Sequence, residues 1–300
     1  MNMILIFIKR NLKLFVRDRA TVFFSLLSTL ILIMLYFLFI AKVYTSGMDD
    51  PNAGGIATAL SGNAKNFIVY LQMMAGVMVL NSMSLATGAF STIAKDFESK
   101  RIDSFMLTPI KTREMIFSYF STGFAASFGI NTLTWIISYI IIGATTGYWL
   151  AAGAFLMVLV VLLVASLISC SLMLLVTALV KSSSAIGVVN GISGTFFGFL
   201  CGIYMPYGNL GEGTKVIGSL LPFSHLTIWL KRVVLDNAFA QVGIDGEFKT
   251  ILYRDYFSAE SIGFCALSAP LWLMVFLSGV FAVLCLAASC SILNKRLKRQ

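Results

Sequence analysis

Six apolar runs, at residues 20–40, 66–90, 116–143, 153–180, 185–205 and 268–293, leave this chain few folds to choose from. Each is long enough to cross about 30 Å of hydrocarbon as a helix. A segment surrounded by lipid must satisfy its own backbone, which allows only helices or a closed barrel. Unbroken apolar stretches, as opposed to alternation with period two, select helices. With 58% hydrophobic and 12% charged residues, a soluble globular domain is excluded. The expected fold class is an all-α polytopic membrane protein with six transmembrane helices. Cys170, Cys201, Cys265, Cys285 and Cys290 lie in or beside apolar runs without paired spacing. They point to neither a disulfide framework nor a metal site, and read as small core residues.

The first 19 residues form a different kind of helix. At about 100° per residue, Lys9, Arg10, Lys13 and Arg17 share one flank, and Ile4, Leu5, Ile8, Leu12, Phe15 and Val16 share the opposite one. That pattern predicts an interfacial helix on an anionic leaflet. The basic start followed by an apolar run imitates a signal peptide. Residues 20–40 are too long for its apolar core and lack a cleavage site, so they are read as a retained span.

Charge then orients the spans. With the N-terminus inside, 15 of the 22 basic residues and five of the 13 acidic ones fall on the inner side, a net +10 against −1 outside. Both termini are therefore expected in the cytoplasm. Membrane topology accounts for the basic balance without nucleic acid.

None of the six runs contains Asp, Glu, Lys, Arg or His. Ion-coupled carriers mark their pathways with such groups at membrane depth, so coupling to an ion gradient is not expected. The polar residues that remain, such as Gln72, Asn81, Asn131 and Asn190, suit hydrogen bonds between helices, with substrate contact as the alternative. In the fifth run Gly187, Gly191, Gly194, Gly198 and Gly202 fall within an arc of about 80°. Such a stripe admits a close neighbour, either another span of this chain or, in the preferred reading, a second copy at a dimer seam.

Residues 206–267 read as an outer re-entrant or gate segment. Pro206, Gly208, Gly211 and Gly213 break the chain, and Leu220 to Leu230 form an apolar stretch too short to cross a bilayer. Asp236 to Asp255 are expected in solvent, and Ser261 to Ala269 as a second short helix before the last span. His225, the one histidine, is read as a hydrogen-bonded structural residue. No Ser/His/Asp order, HExxH or CxxC supports catalysis, so no catalytic residues are expected.

Between the second and third spans lies the one long charged connection, 94–114. Phe97, Ile102, Phe105 and Met106 interleave at helical spacing with Asp96, Glu98, Arg101 and Asp103, which predicts a short amphipathic helix ending before Pro109. A solvated charged loop is the alternative reading.

Taken together, the interfacial helix, the six spans, the charged helix ending in Thr108-Pro109 and the broken outer segment resemble the ABC-2 type permeases, the membrane subunits of bacterial ATP-binding-cassette exporters. In the loop, Asp96, Glu98, Asp103, Thr108 and Pro109 match the family's acidic and Thr-Pro positions, whereas its Arg and Gly positions are not matched. Leu221, Pro222, Phe223, Ser224 and His225, followed by Trp229 and Arg232, are similar to the family's Asn-Pro-Leu-Thr-His run with its downstream Arg. The resemblance covers nearly the whole chain as one transmembrane domain.

It implies a bacterial cytoplasmic-membrane protein that is not itself an enzyme. No GxxxxGK[ST] motif is present, so ATP and Mg²⁺ would be bound by a separate cytosolic ATPase, in two copies, beside a second or homologous permease. Residues 96–107 would be the coupling helix, with Phe97, Ile102, Phe105 and Met106 as apolar anchors in the ATPase and Asp96, Glu98, Arg101 and Asp103 as rim charges. Leu221, Pro222, Phe223, His225 and Trp229 would belong to the outer gate, and Gly187, Asn190, Gly191, Gly194, Gly198 and Gly202 to the pathway or dimer seam. The uncharged interior favours an amphipathic or lipid-like cargo such as a drug, peptide antibiotic or natural product; a lipid-linked polysaccharide is the alternative cargo. An intramembrane lipid-modifying enzyme is a competing class, disfavoured by the lack of ionisable groups in the spans, and a passive channel would leave the charged helix without a purpose.

Overall fold

The computed structural model describes residues 3–19, 22–23, 27, 30–31, 33–34, 36–48, 60–106, 110–180, 182–204, 210–259 and 270–297. Every regular element among them is helical: α1 (Met3–Arg17), a π-helical turn (Tyr36–Ile40) running into α2 (Ala41–Met48), α3 (Gly62–Glu98), α4 (Arg101–Met106), α5 (Thr112–Thr146), α6 (Ala152–Leu179), α7 (Ser183–Leu200), α8 (Glu212–Ser219), α9 (Pro222–Val242), α10 (Gly246–Ile251), a second π-helical turn (Leu252–Tyr256) and α11 (Leu271–Leu297). Five of these, α3, α5, α6, α7 and α11, are long and apolar enough to cross a membrane. They coincide with five of the expected spans. The expected first span is described only in pieces, at 22–23, 27, 30–31, 33–34 and 36–40, and the short helix expected at 261–269 lies outside the described residues.

The middle of the bundle is α3, against which α5, α6, α7 and α9 all pack. It starts cleanly because the Ser61 hydroxyl accepts the Ala64 N–H at 3.2 Å. At 37 residues it is about 55 Å long, far more than the hydrocarbon needs, so its charged end projects beyond the membrane. Polar side chains fix its register. The Asn81 amide donates to Asn131 Oδ1 at 2.9 Å, Asn131 donates to the Ser82 hydroxyl at 2.7 Å, and Ser127 donates to the Ser82 carbonyl at 2.9 Å. Each such bond stabilises by only about 0.6 kcal/mol, but together they oppose sliding of α5 along α3. Asn190 reaches Ser84 at 3.3 Å and ties α7 to the same helix. Asn81, Asn131 and Asn190 thus take the interhelical role expected of them, whereas the buried Gln72 Oε1 finds no partner among the described residues. Leu133, Ile137 and Ile140 of α5 and Trp272, Phe276 and Val283 of α11 stay exposed on the periphery, where lipid would cover them.

The amphipathic N-terminal helix has three faces instead of two. Phe7, Asn11 and Phe15 are buried as α1 packs on α5, while Leu5 and Val16, from the apolar flank, are exposed. One edge of that flank thus meets protein and the other is left open, with Lys9, Lys13 and Arg17 alongside it and exposed. Arg10 departs from the basic flank and turns inward.

The outer segment is where the fold differs most from expectation. The stretch beginning at Leu220 does not end at Leu230: α9 runs 21 residues to Val242, started by Pro222 at its first position and stopped by Gly243 at φ 78°. Asp236, expected in a solvated loop, lies on this helix. Phe223, Leu226, Leu230, Val234, Leu235, Ala238 and Phe239 are buried against α3, α6 and α11. The helix begins beside Phe197 of α7, ring to ring at 5.1 Å, and ends level with the α5–α6 connection, where Asn237 Oδ1 accepts the Ala151 N–H at 2.9 Å. It therefore rises from within the bundle to the end opposite α4.

Candidate functional site

Four consecutive residues at the end of α3 each hold a different part of the chain. Lys95 pairs with Asp18, just past α1, at 2.6 Å. Asp96 receives both terminal nitrogens of Arg10, at 2.9 and 3.0 Å, and the Tyr119 hydroxyl of α5 at 2.6 Å. The Phe97 ring lies under the Arg296 guanidinium of α11 at 4.2 Å, and Arg296 also donates to the Val180 carbonyl at 3.1 Å. Glu98 accepts the backbone N–H and the hydroxyl of Ser183, the first residue of α7, each at 2.8 Å. Successive helical residues point about 100° apart, so four of them address every side of a helix. Other elements can reach all four only where α3 projects beyond its packed neighbours.

These ties differ in strength. Lys95 and Asp18 are both substantially exposed, and such a pair adds little. The Asp96 carboxylate is 2% exposed and its Arg10 partner 26%, so this bidentate pair is sheltered and geometrically demanding. Burial opposes the Arg10 charge, but the bond to Asp96 and its negative charge outweigh it and raise the guanidinium pKa above the ordinary value. The two Ser183 donors hold the Glu98 carboxyl below its ordinary 4.5. A depressed folded-state pKa contributes stability above the ordinary value and loses it as pH falls, so the clasp between α3 and α7 is complete at neutral pH and opens only in acid.

The charged helix expected at 96–107 is thus two pieces. Asp96, Phe97 and Glu98 belong to the last turn of α3, and the chain breaks at Lys100, whose φ of 53° lies in the left-handed region that non-glycine residues seldom adopt. Arg101, Ile102, Asp103, Phe105 and Met106 form α4; Thr108 and Pro109 lie outside the described residues. Within the chain these residues also make contacts beyond the expected roles. Ile102, expected as an anchor for a partner, is 1% exposed in the core. Phe105 meets Phe7 edge-on at 5.2 Å and lies under Arg10 at 4.6 Å, and Phe97 is covered by Arg296. Asp96 and Glu98, expected as rim charges, are spent on ties within the chain. Ile102 and Phe105 hold α4 down, and among its described side chains and those of the preceding turn Ser99, Lys100, Arg101 and Ser104 stay exposed.

Deeper in the bundle, a cavity of about 330 Å³ opens between α3 and α7. Val77, Leu80 and Met83 line one side; Asn190, Gly191, Ser193 and Gly194 line the other. The glycine stripe divides. A Cβ at Gly187, Gly191 or Gly194 would meet nothing within 4 Å, whereas one at Gly198 would come within 2.1 Å of the Tyr204 ring. Gly202 lies past the end of α7 at φ 65°, in a turn, and is not part of the stripe. Two substitutions should therefore move stability in opposite directions in a detergent melting experiment. Gly194→Ala should stabilise by up to about 1 kcal/mol through helix propensity, and Gly198→Ala should destabilise by about 1–3 kcal/mol by displacing Tyr204.

The residues expected at the outer gate cluster at the start of α9. Leu221 precedes the helix, Pro222 and Phe223 open it, Trp229 is half-buried, and His225 Nε2 lies 2.8 Å from the Ser219 carbonyl, a structural contact of the expected kind. Sequence reasoning missed Lys231. Its ammonium, 2% exposed, reaches the Gly202 and Phe257 carbonyls at 3.3 Å each and so links the turn after α7 to the second π-helical turn. A charge inside the stretch LTIWLKRVVL was the available signal. Arg10, Tyr119, Ser183 and Arg296 carried no local signal of their roles.

Comparison with known proteins adds one match. A family model described as ABC-2 type transporter matches residues 2–235, which reaches from α1 through both the α3 junction and the α3–α7 cavity into α9. No curated protein matches the chain.

Proposed function

The chain belongs to the ABC-2 type transporter family, and from that premise we propose that it is the permease subunit of an ATP-driven exporter for amphipathic or lipid-like molecules, powered by a separate ATPase. Membership makes it the membrane part of an ABC transporter and implies an ATPase partner in general. The export direction, the cargo class, two ATPase copies holding ATP and Mg²⁺, a second permease and a bacterial cytoplasmic membrane with both termini inside are parts of the proposal.

The observation that carries it is the junction at the end of α3. Force applied at α4 meets a helix whose last turn is fastened to α1 through Asp96, to α5 through Tyr119, to α7 through Glu98 and to α11 through Phe97. A packed, hydrogen-bonded junction shifts as a body instead of deforming. A cytosolic ATPase seated on Ser99, Lys100, Arg101 and Ser104 would therefore displace the helices on both sides of the α3–α7 cavity together. That cavity combines aliphatic walls with the hydroxyl and amide groups of Ser84, Ser193 and Asn190, which suits a cargo with an apolar body and a few polar groups. Val188, Ile192 and Phe196 on the outer face of α7 are exposed, and a second permease copy would cover them.

The test is co-purification with the ATPase and cargo-stimulated ATP turnover in proteoliposomes. Uphill transport by this chain alone would overturn the reading. A Ser193→Phe variant, which fills the cavity from α7, should still bind the ATPase but lose at least about tenfold of its cargo stimulation, while Ser193→Ala should behave as the parent. Equal transport by both variants would remove the cavity from the pathway.

A further inference from the structure

At the end of the bundle opposite α4, a second and differently built pocket of about 320 Å³ lies between α9 and α10, lined by Arg232, Asp236, Lys249, Thr250 and Tyr253. Unlike the α3–α7 cavity, its walls are mostly charged or polar side chains. Asp236 is already answered: Lys249 pairs with it at 2.9 Å. Arg232 is not. Its Nε donates to the Ala259 carbonyl at 2.8 Å, and among the described residues no carboxylate pairs with it. That single bond steadies the guanidinium, and among the described residues its two terminal NH₂ groups meet no carboxylate. The Tyr253 hydroxyl donates to the Arg232 carbonyl at 3.3 Å and fixes the backbone on which the side chain stands. Its described lining thus carries two cations, Arg232 and Lys249, against one anion, Asp236.

Its depth is set by an independent feature. Asn237, next to Asp236, binds the Ala151 backbone, in the connection that carries Tyr148 and the exposed Trp149. Trp and Tyr concentrate where hydrocarbon meets headgroups, and α6 becomes continuously apolar from Ala152 onward. Asp236 therefore lies at headgroup level, and Arg232, four residues earlier, about 6 Å nearer the bundle centre. From that depth the long Arg232 side chain can carry its guanidinium up through the open pocket toward the phosphate layer of that leaflet.

We propose that this pocket binds the phosphodiester of a phospholipid headgroup, gripped by the two terminal nitrogens of Arg232 and by Lys249. Arginine matches two phosphate oxygens as a planar fork, while lysine acts as a point charge. The Lys249–Asp236 pair is exposed enough to be weak, so Lys249 can turn to a phosphate at little cost. A bound lipid would pin the outer ends of α9 and α10 to the leaflet. The assignment does not depend on which cargo the transporter carries or in which direction.

The full chain is purified, stripped of lipid and exposed to three probes: phosphatidylglycerol, a diacylglycerol glycoside without phosphate, and inorganic phosphate. Retained lipid is counted by native mass spectrometry, and circular dichroism controls for folding. The parent should retain phosphatidylglycerol in preference to the glycoside. Lys249→Gln should weaken retention about tenfold, and Arg232→Lys, which keeps the charge but loses the fork, should weaken it similarly. Unchanged retention in both variants, or equal retention of the glycoside, would overturn the proposal. Protection by inorganic phosphate without retention of the phospholipid would also overturn it, since the pocket would then serve a soluble anion.

Discussion

Replacing Asp96 with alanine should lower the unfolding free energy of the detergent-purified chain by about 3 kcal/mol and abolish ATPase-linked transport. Breaking a buried ion pair by removing one partner costs about 3–5 kcal/mol, because the other charge is left without compensation. The lower end applies because Arg10 is 26% exposed and can recover some water. The Tyr119 hydroxyl loses its acceptor as well. The companion change Arg10→Met should cost at least as much on its own, because the carboxylate it leaves unpaired is 2% exposed. In the double variant the two losses should add to clearly less than their sum, with a coupling of about 1–3 kcal/mol. Additive losses would show that Arg10 and Asp96 do not meet in the working protein. Transport distinguishes a mechanical role from mere support: Tyr119→Phe leaves the ion pair intact, so it should retain most coupling, whereas Asp96→Ala should keep cavity binding of cargo yet lose its link to ATP turnover.

The membrane-length helices were legible because each is encoded locally, by an unbroken apolar run that needs no distant partner to be recognised. The limits of α3 were not. Ala94 to Glu98 carry charges, and charges beside an amphipathic pattern suggest a new element; what continues α3 through them is the set of partners that Lys95, Asp96, Phe97 and Glu98 find on α1, α5, α7 and α11. Arg10 and Asp96 are separated by 86 positions, a pairing no window of sequence contains. The break at Lys100 has no signature either, since a left-handed lysine looks like any other lysine. The outer segment misled for a related reason. Lys231, Arg232 and Asp236 interrupt the apolar count of α9, yet Lys231 is satisfied by the main-chain carbonyls of Gly202 and Phe257 and Arg232 is anchored through its Nε on that of Ala259, which only the folded chain brings within reach. The glycine stripe shows the opposite case: its spacing was legible, while its neighbour depended on where α7 stands, and only Gly198 has close cover.

Ile102→Asp should prevent folding of the junction instead of merely blocking a partner. At 1% exposure the new carboxylate would be buried without a cation assigned to it, and burial of an unpaired charge together with loss of the apolar contact is expected to cost about 4 kcal/mol or more. The chain should reach the membrane but melt early, and fail to hold the ATPase. Lys100→Glu with Arg101→Glu should give the contrasting result. Lys100 is exposed, and Arg101 approaches Asp96 only to 3.8 Å with 59% of its side chain exposed, so the melting profile should shift by less than about 0.5 kcal/mol per site. If the exposed rim of α4 is what the ATPase grips, this double variant should fold as the parent does and yet lose ATPase binding. An Ile102→Asp chain that melts normally while losing the ATPase would reverse the assignment, making the apolar side of α4 the docking face and its present contacts with the core a resting position.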